Sequence, residues 1–126
     1  MTILVDTSVL IDHLRGDVAA RRALGEAVEN GERLACSVVT KVEVLAGMRP
    51  ADEPPTRLLL DALDWLIVDD IVAERAGLMA NRYLRSHPGV DPIDFIIAAT
   101  AYEHDALLWT RNLKHFPMFT DLRSPY

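Results

Sequence analysis

The chain has 126 residues, half of them apolar and a quarter charged, with a formal net charge of −6. That length suits one domain, residues 1–126, around a single core and is too short for two. The charge argues against a broad basic surface for duplex DNA, since such binders neutralise many phosphates, but not against a nucleic-acid enzyme whose acids reach phosphate through a divalent cation. No apolar run approaches a membrane span, and the N-terminus lacks the pattern of a secretory signal. Cys36 is the only cysteine, which excludes an internal disulfide and a cysteine-built zinc site. A cytoplasmic protein is expected.

Residues 2 to 5 have the look of a short buried strand that stops on Asp6. Ser8 is placed to cap a short helix ending near Gly16. Residues 18 to 29 are helical and close on Asn30-Gly31. "RLACS" is a second strand, with Cys36 as a small core residue, and a helix is expected from about Thr40 to Ala46. The prolines in "GMRPADEPPT", residues 47 to 56, mark an irregular connection. Thr56 is placed to cap "RLLLDAL", and "WLIV" is a third strand. Asp70 opens a long amphipathic helix with Val72, Ala76, Met79 and Tyr83 on one face and Arg75, Arg82 and Arg85 largely on another, read as a solvated face with RNA contact as the alternative. Asp91 and Pro92 start the helix "DFIIAATAYEH". "ALLWT" is a fourth strand and "PMFTDL" a candidate fifth.

Short strands alternating with helices predict an α/β fold with a mainly parallel sheet of four or five strands, covered on both faces. Ligands of such folds gather at the carboxyl ends of the strands, where strand order reverses. Asp6 ends the first strand and so falls where a site is expected. A bare carboxylate there is costly to bury, so it must be hydrated, paired or bound to a cation. Capping is an alternative, but Thr7 and Ser8 can cap without a buried charge.

Two further acids belong to the same edge. Glu43 follows the second strand; its competing role is a capping box with Thr40. "DPID" is close to an ideal helix start, with Asp91 as N-cap, Pro92 at N1 and Asp94 at N3. That accounts for Asp91. Asp94, however, leads the nearly uninterrupted apolar run of Phe95 to Ala101, so it is an acid at the positive end of a core helix. The helix dipole lessens the cost without supplying a full partner. Three carboxylates converging on one edge repel unless a cation holds them. Hard oxygen donors without a cysteine or a histidine pair suit Mg²⁺ or Mn²⁺, and the corresponding chemistry is metal-assisted attack on phosphate.

Thr110, Arg111 and Asn112 follow the fourth strand onto the same edge. Arg111 and Lys114 are candidate phosphate ligands, and Asn112 can donate a hydrogen bond or offer its carbonyl to metal. The competing reading is an ordinary strand-to-loop turn. His13, His87, His104 and His115 share no metal-ligand spacing; the first three are read as surface residues and His115 as packed or solvated, with support of a site ligand as its alternative role. There is no Gly-rich phosphate loop and no nucleophile elbow.

The segments "ILVDTSVLIDHL", "SVVTKVEVLAG", "DFIIAATA" and "TRNLKHF", in this order and spacing over nearly the whole chain, resemble PIN domains, most closely the VapC toxins of bacterial toxin–antitoxin pairs. The resemblance implies a three-layer α/β/α sandwich and a Mg²⁺- or Mn²⁺-dependent endoribonuclease. Asp6, Glu43 and Asp94 would form its metal-holding triad, with Asn112 beside them. It also implies homodimers, inhibition by a VapB-type antitoxin in a hetero-oligomer, and cleavage of structured RNA, tRNA or rRNA, that blocks translation. The sequence departs from the pattern where many PIN domains carry a fourth acid: these positions read Asn112 and His115. A second metal would then be held more weakly, with Asp91 a candidate to compensate. Two rivals remain at this point. One is a catalytically weak PIN-fold binding module. The other is a Mg²⁺-binding phospho-receiver, which "VDTS" fits poorly because it lacks an adjacent acidic pair.

Overall fold

A computed structural model describes all 126 residues. Four strands, β1 (Thr2–Val5), β2 (Arg33–Ser37), β3 (Asp64–Leu66) and β4 (Leu107–Trp109), form one sheet in the order β3-β2-β1-β4, parallel throughout. Six helices connect them: α1 (Thr7–Leu14), α2 (Val18–Glu29), α3 (Val38–Ala46), α4 (Glu53–Asp61), α5 (Asp70–Tyr83) and α6 (Pro92–Glu103). The chain steps from β1 outward through β2 and β3, then returns across β1 to lay down β4. Strand order therefore reverses between β1 and β4, and their carboxyl ends open a crevice there.

Side-chain alternation along the strands divides the core into two layers. Ile3, Val5 and Cys36 face one side, where Val9, Leu10, Leu24, Val44 and Leu60 from the helices cover them. Leu4, Ala35 and Leu108 face the other, against Ile97, Ala98 and Ala101 of α6 and against Phe116. On its far side α6 packs on α5 through Phe95, Ala99, Val72 and Ala76. This is the three-layer α/β/α sandwich. Phe95, Ile97, Ala98, Ala99, Thr100 and Ala101 are all buried, so the apolar run after Asp94 is a core helix, as its composition implies.

Several local expectations are corrected. The fifth strand does not form: Leu113–His115 is a 3-10 turn, and beyond it the chain has no ladder partner. Helix α3 begins at Val38 with Ser37 as N-cap, accepting from the Val39 amide, so Thr40 lies inside the helix and makes no capping box with Glu43. The prolines of residues 50 to 55 do not exclude helix. Pro50 opens a 3-10 turn, and Pro54 and Pro55 sit in the first turn of α4, whose amides have no intrahelical acceptor to lose. Thr56 is buried within α4 rather than capping it. The third strand lies at Asp64–Leu66, slightly before "WLIV". Asp69 caps α5 through the Val72 amide. Gly16 closes α1 at φ +85°, a backbone conformation that favours glycine. His13 is not a solvated surface group. Its Nδ1 is buried without a partner, and burial, then the Arg21 charge, lower its pKa. Arg75, expected on a solvated face, instead pairs with Glu103 and lies over the Tyr102 ring.

Cys36 is fully buried between the strands, and burial pushes its thiol up to about 12. At pH 8 only about one such thiol in ten thousand is ionised. Iodoacetamide should therefore leave the native protein unlabelled over hours and label it rapidly in urea; mass spectrometry reads the difference.

Candidate active site

The crevice at the β1–β4 switch point is a cleft of about 350 Å³ whose walls include Asp6, Glu43, Asp94, Arg111 and Asn112. Five of the residues picked from sequence thus meet in one place. Thr110 sits directly behind Asp6. Asp91 and Lys114 are exposed and do not line the cleft.

Asp6 follows the last residue of β1 and is only 3% exposed. Its backbone occupies the N-cap position of α1, yet its side chain caps nothing. One carboxylate oxygen, Oδ2, instead accepts hydrogen bonds from the hydroxyls of Thr110, at 2.7 Å, and Ser8, at 2.8 Å. Each such bond to a charged group is worth roughly 1.5–3 kcal/mol. Two of them offset only part of the several kcal/mol that desolvating an ion costs. No protein donor reaches Oδ1. Thr110 is itself fully buried and accepts from the Asn112 amide at 3.0 Å, while the Ser8 hydroxyl accepts from the Arg111 amide at 3.1 Å. The same two hydroxyls therefore hold both the carboxylate and the loop that carries Arg111 and Asn112.

Glu43 stands on α3 across the cleft, and its Oε1 accepts from the Thr7 hydroxyl at 2.6 Å. Asp94 closes a reciprocal capping box: Asp91 accepts from the Ile93 amide, and Asp94 Oδ2 accepts from the Asp91 amide at 3.2 Å. His115 Nδ1 lies 3.2 Å from the same oxygen. The pKa of Asp94 is raised, chiefly by burial. The Asp91 amide bond and His115 oppose that rise, and the negative charges of Asp6 and Asp91 add to it. No three acidic or histidine side chains converge as a ready-made cation cage. Thr7 engages only Oε1 of Glu43, and the Asp91 amide and His115 only Oδ2 of Asp94, so each acid keeps a second oxygen without a protein donor. The donor chemistry nevertheless fits a hard divalent cation. The donors are oxygens, and Asp6 has one of its two oxygens unclaimed in a cleft with four carboxylates against two guanidinium groups.

Sequence reading missed Thr7 as the partner of Glu43, Ser8 as a holder of Asp6, and His115 as the partner of Asp94. It also missed Asp12 and Arg15 as cleft walls. Ser8, Ile11, Asp12 and Arg15 fall at helical spacing on one face of α1, a signal that was present. The Asp94–His115 contact carried no local signal, because the two lie on segments joined only by the fold. Tyr126 was equally hidden. Its hydroxyl donates to Asp12 at 2.7 Å, and its ring lies 4.5 Å beneath the Arg111 guanidinium.

A parallel α/β/α sandwich with acids gathered at its switch point defines a class of protein in which strand ends present carboxylates to a ligand. The PIN domain model matches residues 3–117. Among curated proteins, ribonuclease VapC19 of Mycobacterium tuberculosis is 44% identical over 123 residues, covering 98% of each chain. Ribonuclease VapC10 of the same organism is 46% identical over 124 residues, 98% of this chain and 92% of that one. A toxin–antitoxin complex from Klebsiella pneumoniae contains a chain that superposes with a TM-score of 0.81 at 30% identity, covering 98% of both chains. The chain belongs to the PIN domain family, and within it to the VapC group. No helix is long and apolar enough to cross a membrane.

Two outcomes follow from this geometry. Thr110→Val removes a buried donor to Asp6 and should cost about 1–3 kcal/mol, read as a lower urea midpoint with an unchanged slope. The raised Asp94 pKa has a definite sign in stability. As pH rises above the ordinary 3.8, the unfolded chain loses this proton before the folded one. Stability present below 3.8 is therefore lost as pH climbs through the raised value. Asp94→Asn should gain on the parent over that window and hold its advantage above it, as tracked by urea melts across pH.

Proposed function

We propose that this chain is a divalent-metal-dependent endoribonuclease, the toxin of a toxin–antitoxin pair, which hydrolyses phosphodiester bonds in structured RNA, tRNA or rRNA, and so blocks translation. One observation carries the reading: Asp6 is buried at the end of a central strand, half satisfied by two hydroxyls, in a cleft shared with Glu43 and Asp94. Its identity to proteins named as ribonucleases supports the same reading. The Klebsiella toxin–antitoxin complex supports an antitoxin as partner in a hetero-oligomer; that the antitoxin is VapB-type, and that the toxin is a homodimer in the cytoplasm, are parts of the same proposal.

Asp6 and Asp94 would hold Mg²⁺ or Mn²⁺, with Glu43 completing the set. When bound, the ion supplies an activated water and neutralises charge on the phosphoryl oxygens. Ser8 and Thr110 keep the Asp6 carboxylate fixed and aimed into the cleft. Arg111 binds a non-bridging phosphate oxygen, with its guanidinium braced on the Tyr126 ring. Asn112 orients water or ribose through its amide, and Lys114, on the following turn, adds positive charge. Asp91 serves by capping α6 and so fixing Asp94 at the helix start. Because no cation cage is preformed, a catalytically weak PIN-fold binding module is the second reading.

Purified protein incubated with total tRNA and rRNA should yield discrete fragments in Mg²⁺ or Mn²⁺ and none in chelator. Asp6→Asn and Asp94→Asn should each lower cleavage at least a hundredfold while remaining folded by circular dichroism. Cleavage retained by both variants would overturn the assignment. Intact RNA in every lane would favour the binding module.

A further inference from the structure

A second cavity, of about 440 Å³, adjoins the acidic cleft. It lies between α1, α3 and the start of α4, and the two spaces share Ile11 and Arg15 as a common wall. Their charges differ in sign. The cleft carries four carboxylates against two guanidinium groups, whereas the second cavity carries Arg15 and Arg49 against Asp52 alone. A phosphate in the cleft requires a cation between it and the acids. A phosphate at the second cavity does not.

Two of its residues have unused bonding capacity. Arg15 ends α1, is exposed, and makes no ion pair or side-chain hydrogen bond. Asp12, three residues earlier on the same helix, accepts instead from the Tyr126 hydroxyl. Thr56 is only 1% exposed and lines the cavity, yet its hydroxyl has no hydrogen-bond partner in the protein. Although the residue is buried, that oxygen keeps access to the cavity it lines and is free to bond a ligand. The remaining wall includes Leu14, Val44 and Met48, apolar surface against which a base can lie.

The geometry points to this cavity as a subsite for one nucleotide of a single-stranded RNA segment flanking the scissile phosphate. Arg15 binds that nucleotide's phosphate at the shared wall, and the Thr56 hydroxyl bonds its base or ribose. This deepens the nuclease reading and rests on it for the direction of the strand, which runs from the acidic cleft past α1 into the basic cavity. A protein segment would supply no phosphate for Arg15.

The test uses a fluorescein-labelled single-stranded 12-nucleotide RNA of mixed sequence, titrated in chelator so that it stays intact. Arg15→Gln should weaken binding about tenfold and lower the slope of log Kd against log salt by about 0.7, one phosphate contact fewer on a single strand. Arg15→Lys should restore most of the slope. Thr56→Val, nearly isosteric, should weaken binding a few-fold with the slope unchanged, because it removes a polar contact and no charge. Arg85→Gln, beyond α5 and outside both cavities, should match the parent. In metal-dependent cleavage Arg15→Gln should raise KM with kcat unchanged, the mark of a contact made equally in ground and transition states. Parent-like binding and slope for Arg15→Gln would overturn the subsite. So would unaltered RNA binding accompanied by weakened capture of a VapB-type antitoxin, which would make the cavity a protein-docking site. A parent that binds this RNA through Arg15 but cuts no RNA would uphold the subsite and overturn the nuclease reading alone.

Discussion

The carboxylate of Asp6 is the constraint around which the rest of this molecule is arranged. It stands at the end of a central strand with only 3% of its surface exposed, where an unpaired ion costs several kcal/mol. The fold answers with two hydroxyls, and both are delivered by neighbouring elements rather than by solvent. Ser8 comes from the first turn of α1 and Thr110 from the residue after β4. Neither hydroxyl neutralises the charge. They fix its position and leave one oxygen facing the cleft. Capping would have used the carboxylate locally. At α1 the Asp6 side chain caps nothing; it is held by Ser8 and Thr110 instead.

The same two hydroxyls tie the second segment of the site to the first. Thr110 accepts from the Asn112 amide and Ser8 from the Arg111 amide, so the loop after β4 takes its shape from the residues that grip Asp6. Across the cleft, Thr7 reaches Glu43, and the capping box of α6 fixes Asp94. Four segments distant in sequence thus approach one point, each steered by a short-range hydrogen bond at the end of a strand or the start of a helix. The parallel sheet makes this convergence general. Every strand points its carboxyl end the same way, and the reversal of order between β1 and β4 leaves room there. The His115 contact offsets part of what burial and the neighbouring acids do to Asp94, whose pKa remains raised. The hard oxygen donors thus stay within one cleft, each acid held by its own hydrogen-bond partners.

Much of this was legible in the chain. The alternation of short β-rich runs with helical periodicity gave the layer architecture, because each pattern buries a face at its own repeat. Asp6 and Asp94 stood out because a charged residue borders an apolar run that has to be buried. What failed was local punctuation. The prolines of residues 50 to 55 look like a break, yet they fit the first turns of helices, where a missing amide costs nothing. Thr40 and Glu43 match a capping box, yet Ser37 at the end of β2 already caps α3, which begins at Val38, so the motif falls inside the helix. "PMFTDL" has strand-like composition but no neighbouring strand to pair with, and pairing, not propensity, decides whether a strand forms.

The amino-acid sequence by itself determined the α/β class, the core helix after Asp94 and the identity of the acids, because each rests on periodicity or on a charge placed against an apolar run. Tertiary structure alone decided which groups hold those acids and what lies beside them. The pairing of Asp94 with His115, of Asp12 with Tyr126, and the sharing of Arg15 between two cavities all join residues from separate elements. Such contacts depend on how helices pack across a sheet, and a linear pattern carries no record of that distance.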